Sequence, residues 1–328
     1  MREQEFYESV RDRILESLPD GFEDAAVDLT TQVKHNDVER TGITIRRPEE
    51  LVCPIIYLDD YFKAYEDGKS LDEVASQIID VRVNIDDSIA QNIDPRAFAD
   101  YDAIRPRLQM RAYDTEKNEL KLAGLVHHCF GDFSAAYSIL VGDQTDRNMC
   151  VMVTPTMMEM WGISKKRLHD DTILADLSRG PVLSDMTSVM SSMGIDSSCR
   201  NYFEDLQPLD MASMAMPLFV LTNASSVNGA GLILNSAVQQ KIADLVQGDY
   251  YVLPSSVHEV LILPDDGSCS VRELAEMVHE INRSVVAPED ILSDKVQFYD
   301  AKSRTLVNAQ EHEMAKERTP AVAKAKSI

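Results

Sequence analysis

Cysteine is scarce in this sequence, and its spacing excludes the sites that cysteine most often builds. The chain has five cysteines among 328 residues, and no two stand in the C-x-x-C spacing of a zinc or redox site. Separated thiols in odd number, in a reducing compartment, are typical of buried or idle side chains. We therefore expect no disulfide framework. The five are Cys53, Cys129, Cys150, Cys199 and Cys269.

Basic residues are few relative to acidic ones. The 32 lysines and arginines stand against 55 aspartates and glutamates, which gives a formal net charge of −23. Because nucleic acids and anionic membrane surfaces are bound mainly through Lys and Arg, we expect no direct nucleic-acid binding and no membrane binding. A charge of this size is typical of a solvated surface, and the alternatives are a basic protein partner and mimicry of a nucleic acid.

Long apolar runs are missing as well. The longest uncharged segment, residues 211–240, is interrupted by TNASSVNGAG before it reaches the ~20 apolar residues that cross a bilayer. Residues 1–18 carry charges throughout, unlike a secretory signal. We therefore expect a cytoplasmic protein.

Motifs with a known catalytic mechanism are also absent. The seven histidines form no H-E-x-x-H or H-x-x-x-H pair, and the chain has neither a G-x-S-x-G elbow nor a Gly-rich phosphate loop. His127 and His128 are adjacent in an extended segment, so their side chains should point to opposite faces and cannot bind one ion together. We therefore expect no metal site and no cofactor.

Periodicity and turn residues divide the chain into short helices and strands. Ser70 and Ser270 each stand three residues before a glutamate, a capping-box pattern that opens a helix. No regularly spaced βα units occur, which favours an α+β fold with mixed, mainly antiparallel sheet layers packed with helices. Predicted helices are 4–18, 71–91, 156–161, 165–177, 236–246 and 271–285. Predicted strands are 27–33, 43–45, 108–113, 120–130, 135–141, 150–153, 218–221, 250–253, 257–263, 296–299 and 305–307.

The charge composition and the hydrophobic pattern of the sequence change near residue 100. Residues 1–100 are the most acidic part, with 24 acidic and 11 basic side chains. We predict an N-terminal α/β subdomain at 1–100 and an α+β main domain at 101–312. Residues 313–328, rich in Ala, Lys and Glu, are predicted to form a flexible tail.

The densest set of reactive side chains lies at residues 253–259. Ser255 and Ser256 stand in a predicted turn, and His258 begins the next strand. A hydrolase would use one serine as nucleophile and His258 as base, if the turn brings a hydroxyl to ~3 Å from the ring. Glu259 is a neighbour in an extended segment and cannot readily orient that ring. The alternative is a Ser-rich turn with His258 hydrogen-bonded beneath it.

A second candidate segment, residues 223–231, joins a strand to a helix. Its polar, Gly-containing sequence predicts a flexible loop, in which Asn223, Asn228 and Gly229 could contact a ligand. In a hydrolase, Asn223 or Asn228 would polarise the substrate. Asn228-Gly229 is equally a turn signal, so a plain turn is the alternative.

Four short strings in the sequence form a distinctive set. The most specific is Leu-Pro-Ser-Ser-x-His-Glu at 253–259, and Asn-Gly-Ala at 228–230 accompanies it. The others are Trp161-Gly-Ile-Ser164 and Leu292-Ser-Asp294. Together these strings resemble an uncharacterised bacterial domain-of-unknown-function family that is frequent in anaerobic gut bacteria. The resemblance implies a bacterial cytoplasmic protein and supplies no mechanism.

No complete catalytic set emerges from these patterns. We therefore expect a non-enzymatic binding or interaction protein, with an unknown protein or small-molecule partner. Eleven of the fifteen methionines fall between residues 149 and 216, which is typical of core filling or of an adaptable binding groove. The alternative function is a hydrolase-like enzyme centred on Ser255, Ser256 and His258.

Overall fold

The computed structural model describes residues 2–48, 50, 53–89, 98–141, 150–192, 199–205, 207–211, 214 and 217–318. The chain forms two compact units, Met1–Ala103 and Ile104–Ile328. The helices are α1 (Glu3–Glu16), α2 (Asp59–Glu66), α3 (Leu71–Ile89), α4 (Tyr101–Ile104), α5 (Glu119–Ala123), α6 (Pro155–Trp161), α7 (Lys165–Arg179), α8 (Met186–Ser192), α9 (Ser236–Val246), α10 (Val271–Ser284) and α11 (Ala309–Arg318). The strands are β1 (Ala26–Val33), β2 (Glu39–Arg46), β3 (Ile56–Tyr57), β4 (Leu108–Asp114), β5 (His127–Phe130), β6 (Phe133–Leu140), β7 (Cys150–Met152), β8 (Pro181–Asp185), β9 (Phe219–Asn223), β10 (Tyr250–Leu253), β11 (Val260–Pro264), β12 (Gln297–Asp300) and β13 (Thr305–Asn308).

The first unit is a three-stranded antiparallel sheet, in the order β1-β2-β3, that shares its core with α1 and α3. Strands β1 and β2, which contain the predicted strands 27–33 and 43–45, form a hairpin paired over eight residues. Its turn places Asn36 and Asp37 in the left-handed region, at φ 57° and 52°, which these two residue types tolerate. The helical periodicity of α1 is confirmed, because Phe6, Val10 and Ile14 are fully buried.

The second unit contains two antiparallel sheets. The larger sheet has six strands in the order β13-β12-β10-β11-β9-β8, and the smaller has the order β4-β6-β5, with β7 also paired to β6. Strands β5 and β7 share one edge of β6, opposite residues 133–136 and 138–140 respectively. The α+β fold with mainly antiparallel sheets packed with helices is therefore confirmed.

Both faces of the six-stranded sheet are covered. Val220, Leu253 and Phe298 on one face pack with residues of α10 and α11. The opposite face meets a 3₁₀ segment, Gly229–Leu234, in which all six residues are buried. The hydroxyl of Tyr250 on β10 donates to a backbone carbonyl of α9. Because the 3₁₀ segment also contacts β4, it lies enclosed between the two sheets.

Both predicted capping boxes are present. The Ser70 N–H donates to the Glu73 carboxylate (2.8 Å), and the Glu73 N–H donates to the Ser70 hydroxyl (3.3 Å). Ser270 and Glu273 repeat the arrangement at 3.0 and 3.3 Å. These bonds satisfy free N–H groups at the start of α3 and α10.

Four parts of the second unit differ from the sequence prediction. The predicted strand 120–130 is divided into α5 and the short β5, because the Asp114 carboxylate accepts the N–H groups of Glu116 and Lys117 (3.1 and 3.2 Å) and turns the chain after β4. Strand β8 and helix α8 were not predicted, and helix α11 takes in residues 313–318 of the tail that was predicted to be flexible. Helix α11 extends to Arg318, and residues 319–328 lie outside the described residues. Of the methionines between 149 and 216, Met149, Met193 and Met216 also lie outside them.

None of the helices in the described ranges is both long enough and apolar enough to span a membrane. In the same residues, no group of three or more His, Cys, Asp or Glu side chains could hold a metal ion.

Candidate functional site

The turn between β10 and β11 holds the serines and the histidine that the sequence singled out. The hydroxyl of Ser256 accepts the backbone N–H of His258 at 3.1 Å, and Ser256 is 9% exposed. The backbone N–H of Ser256 donates to the Glu259 carbonyl at 3.3 Å. Ser255 instead lines a small apolar cavity of about 10 Å³ beside α10, together with Asn282. The hydroxyl of Ser256 therefore caps the backbone of the turn.

The lone pair of the His258 ring is already used. The backbone N–H of Asn228 donates to Nδ1 at 3.2 Å, so Nδ1 is an acceptor and the neutral ring carries its hydrogen on Nε2. Nε2 lies 3.4 Å from the Asp290 carboxylate. A general base needs a ring nitrogen with a free lone pair for the serine proton, and in this arrangement Nδ1 already accepts the Asn228 N–H.

The backbone around His258 binds the second candidate segment. The His258 carbonyl accepts the Gly229 N–H and the Thr222 hydroxyl, both at 2.9 Å, and the Val257 carbonyl accepts the Ala230 N–H at 3.2 Å. The structure thus brings Asn228, Gly229 and His258 together as one hydrogen-bonded unit. These bonds occupy the backbone of residues 257 and 258, which explains why β11 begins at Val260 and not at the predicted residue 257.

The side chain of Asn223 organises the loop that follows β9. Its carbonyl oxygen accepts the backbone N–H groups of Ser225 (3.1 Å) and Val227 (3.3 Å), and its amide donates to the Val227 carbonyl at 2.8 Å. Asn223 is therefore committed to the loop itself.

The prediction that residues 223–231 form a flexible polar loop is wrong from Gly229 onward. A Cβ at this position would lie 2.5 Å from the Thr222 hydroxyl oxygen and 2.7 Å from both the Asn223 nitrogen and the His258 carbonyl oxygen. The backbone approaches so closely here that only glycine fits. The residues after Asn228 are buried because the apolar run that follows them fills the space between the two sheets.

The structure also contains a cluster of hydrogen-bonded side chains that was not predicted from the sequence. The hydroxyl of Tyr137 on β6 lies 2.6 Å from Nδ1 of His128 on β5 and 3.0 Å from Nδ1 of His169 on α7. Tyr137 is fully buried, and burial raises its pKa, so the hydroxyl stays protonated. One ring nitrogen must then accept from the hydroxyl while the other donates to it, with both rings neutral. We call these three residues the His–Tyr–His array.

Strand pairing offers part of the signal for this array. His128 pairs with Ala135, so Tyr137 stands two residues further along the same face of β6. The local sequence around His169 does not predict its contact with Tyr137, because α7 and β6 are brought together only by the tertiary fold.

The array predicts an acid-sensitive stability. Burial first, then nearby positive charge, lowers the pKa of His128 and of His169. The unfolded chain therefore binds protons at a pH where the folded rings remain neutral, so stability is full above the ordinary His pKa of about 6.5 and falls as the pH drops through it. We expect the melting temperature of His169→Gln to depend less on pH than that of the wild type between about pH 7 and 5.

The control is His279→Gln, which removes an exposed histidine of α10 whose side chain is 57% accessible. Thermal melts of the three proteins across this pH range make the comparison. An equal loss of melting temperature in the wild type and His169→Gln would contradict the assignment.

A third site lies where α7 meets the 3₁₀ turn Arg105–Arg107. Arg179 donates to the Pro106 carbonyl (3.1 Å) and the Leu108 carbonyl, and pairs with Asp176 at 2.5 Å. Asp176 also accepts the backbone N–H of Met110 at 3.3 Å, and burial raises its pKa to about 7. These contacts tie the turn to the helix.

A groove of about 270 Å³ runs beside this joint. Leu174, 64% exposed, stands at its wall. Arg105 and Arg167 approach the Asp171 carboxylate at 3.9 and 3.6 Å. The full lining is Arg105, Pro106, Asp171, Leu174, Ala175 and Ser178.

Comparison with known families accounts for nearly the whole chain. Residues 3–301 match the model of a family described as "Family of unknown function (DUF5688)". The chain belongs to this family. No curated protein and no solved structure matches the chain. The resemblance to a family of unknown function is thereby confirmed for this DUF5688 protein.

Two further segments that carry the resemblance are structural in this DUF5688 protein. Gly162 ends α6 in the left-handed conformation (φ 62°), and the Ser164 hydroxyl caps α7. Ser293 donates to the buried Asp114 carboxylate at 2.6 Å, and Asp294 accepts the Asn282 amide at 2.8 Å. Both segments hold elements in place, as the His258 turn does.

Proposed function

We propose that this DUF5688 protein is a cytoplasmic bacterial binding protein without catalytic activity, and that it binds its ligand on the surface formed by α7 and the turn Arg105–Arg107. The observation that carries the proposal is a local reversal of charge. The turn and α7 together hold six basic and three acidic side chains, a net of +3, in a chain of net charge −23. A surface of opposite sign to the rest of the molecule concentrates a ligand of complementary charge.

The engagement of His258 favours binding over hydrolysis. Its two ring nitrogens face the Asn228 N–H and the Asp290 carboxylate, while the Ser256 hydroxyl accepts a backbone N–H. Serine activation requires a hydrogen bond from the hydroxyl to the ring, and these contacts use the same groups to hold the turn. The hydrolase alternative therefore has no observation in its favour.

The ligand we propose is small, and it is neither a nucleic acid nor a membrane. A nucleic acid contacts a protein through many phosphates along its backbone. The 55 acidic side chains of this protein would repel the phosphates that extend past the basic surface. A small anion avoids this repulsion because it occupies the basic surface alone.

The proposal is tested by equilibrium dialysis of the purified protein against a bacterial small-molecule extract, with mass spectrometry of what is enriched. We expect anionic compounds to be enriched by the wild type and lost with Arg167→Ala. The matched control is Arg272→Ala, because Arg272 on α10 pairs with Glu276 at the same i,i+4 spacing as Arg167 with Asp171.

Two outcomes would overturn the proposal. One is equal enrichment by Arg167→Ala and the wild type. The other is turnover of p-nitrophenyl esters by the wild type that disappears in Ser256→Ala, which would establish the hydrolase instead.

A further inference from the structure

The groove beside α7 has two chemically different sides. Arg105 and Asp171 form its charged side, and Pro106, Leu174 and Ala175 form its apolar side. An arrangement of this kind, apolar walls with a few convergent polar groups, is typical of small-molecule sites.

Arg105 is the group on the charged side that can take a new partner. Its guanidinium lies 3.9 Å from the Asp171 oxygen, beyond hydrogen-bonding distance, and its side chain is 49% exposed. The guanidinium presents up to five N–H donors in a planar fork that fits the two oxygens of a carboxylate or the oxygens of a sulfonate or phosphate. An anionic ligand group could therefore bind Arg105 without displacing a strong bond.

Leu174 supplies the complementary apolar contact. Its side chain is 64% exposed although it lies on a helix whose neighbouring Ala175 is buried. Leu174 stands three residues after Asp171 on α7, so the two share one face of the helix and a single ligand can reach both. Covering Leu174 removes apolar surface from water, which favours a ligand with a hydrocarbon body.

The size of the groove decides between classes of ligand. Its volume of about 270 Å³ is close to the lower end of small-molecule sites, roughly 300–1,000 Å³. A stable protein interface needs roughly 800 Å² on each partner, far more surface than six lining residues offer. A polyanion would need a longer row of basic side chains than the turn and α7 provide.

We propose that this groove binds one small molecule that carries a single anionic group on an apolar body. The anionic group binds the Arg105 guanidinium, and the apolar body lies over Leu174 and Pro106. This inference rests on the proposed binding function and specifies its ligand class.

The test uses two dyes with the same ring system. 8-Anilinonaphthalene-1-sulfonate carries a sulfonate, and N-phenyl-1-naphthylamine lacks it. Fluorescence titration of the full chain under native conditions should show saturable binding of one molecule of the sulfonated dye per chain. The uncharged dye should bind clearly more weakly. Arg105→Ala should weaken sulfonate binding about tenfold, as expected for the loss of a charge-assisted hydrogen bond, and leave the uncharged dye within about twofold.

Arg272 on α10 provides the control. Arg272→Ala makes the same change of charge and size at an exposed side chain that lies outside the proposed binding surface and does not line the groove. We expect Arg272→Ala to keep sulfonate affinity within about twofold, because a distant exposed charge contributes little through solvent. Leu174→Asn should weaken both dyes, since both place their rings on the apolar side. Circular dichroism melts establish that the variants fold.

Three results would overturn the inference. They are equal effects of Arg105→Ala and Arg272→Ala, equal affinity of the wild type for the two dyes, and displacement of the sulfonated dye by a single-stranded oligonucleotide. In the first two cases, enrichment of anions in the dialysis experiment would still support binding elsewhere on α7. Failure of the groove is thus distinguishable from failure of the proposed function.

Discussion

Replacing Gly231 with alanine is expected to lower the free energy of unfolding by about 3 kcal/mol or more, the upper range for an overpacked core site. A Cβ at Gly231 would lie 2.1 Å from the Met110 carbonyl oxygen and 2.6 Å from its carbon. Both are backbone atoms of β4, held in register by β6, so neither can move without disturbing the sheet. Urea unfolding followed by the fluorescence of Trp161 measures the change in this unit.

Gly248→Ala is the matched control for this change. Gly248 follows α9, has nothing within 4 Å of an added Cβ, and has no positive φ. We expect its effect to stay within about 0.5 kcal/mol, as for surface substitutions generally. A loss at Gly231 no larger than at Gly248 would show that segment 229–234 is not clamped between the two sheets.

The second large effect is expected in the first unit, where Glu50→Ala should cost about 3–5 kcal/mol, as when one partner of a buried ion pair is removed. Arg82 on α3 is 1% exposed and donates to both oxygens of Glu50, at 2.5 and 2.6 Å. Its Nε donates to the Ile45 carbonyl at 2.8 Å, and its guanidinium lies 5.0 Å from the centre of the Phe22 ring. Without Glu50, a buried positive charge loses its counter-charge.

Hydrogen exchange of the β1–β2 hairpin and α1 reports this loss in the unit concerned. The control is Glu16→Ala, which removes an exposed partner of Arg13 at 3.1 Å and should cost at most about 1 kcal/mol. The double change Glu50→Leu with Arg82→Met should recover much of the loss, because a buried pair can be replaced by apolar side chains of similar size. Equal exchange in Glu50→Ala and Glu16→Ala would contradict the prediction.

The segments that carry the family resemblance serve the architecture of this protein. The Asn228 N–H donates to the His258 ring, and the N–H groups of the next two residues donate to the His258 and Val257 carbonyls. Ser293 donates to the buried Asp114. The polar and potentially reactive residues in these segments therefore form hydrogen bonds that hold the fold together. The proposed binding surface on α7 lies elsewhere, in a segment that no motif distinguishes.

Part of the candidate sites could be predicted from the sequence. The alternative in which His258 is hydrogen-bonded beneath a Ser-rich turn describes its contacts with Asn228 and the backbone. The sequence also placed Asn228 and Gly229 at a turn, because these residue types tolerate its geometry. The burial of Gly229 was not predicted, since a polar, Gly-containing string looks the same in a loop and in a segment between sheets.

The sequence by itself determined the local structure of this protein. The 3.6-residue period of Phe6, Val10 and Ile14 specifies α1, the alternation from Val27 to Val33 specifies β1, and Ser270 with Glu273 starts α10. These features depend on neighbours within four residues, whose geometry is set by backbone sterics and local hydrogen bonds.

Only the tertiary structure decided which distant residues meet. Tyr137 and His169 are 32 residues apart, and their contact depends on how α7 packs against the smaller sheet. The groove brings Arg105 together with Leu174, which is 69 residues further along the chain. Such contacts follow from the burial of whole helix and sheet faces, to which every element contributes. No local pattern encodes them because the hydrophobic effect that drives this packing is non-directional.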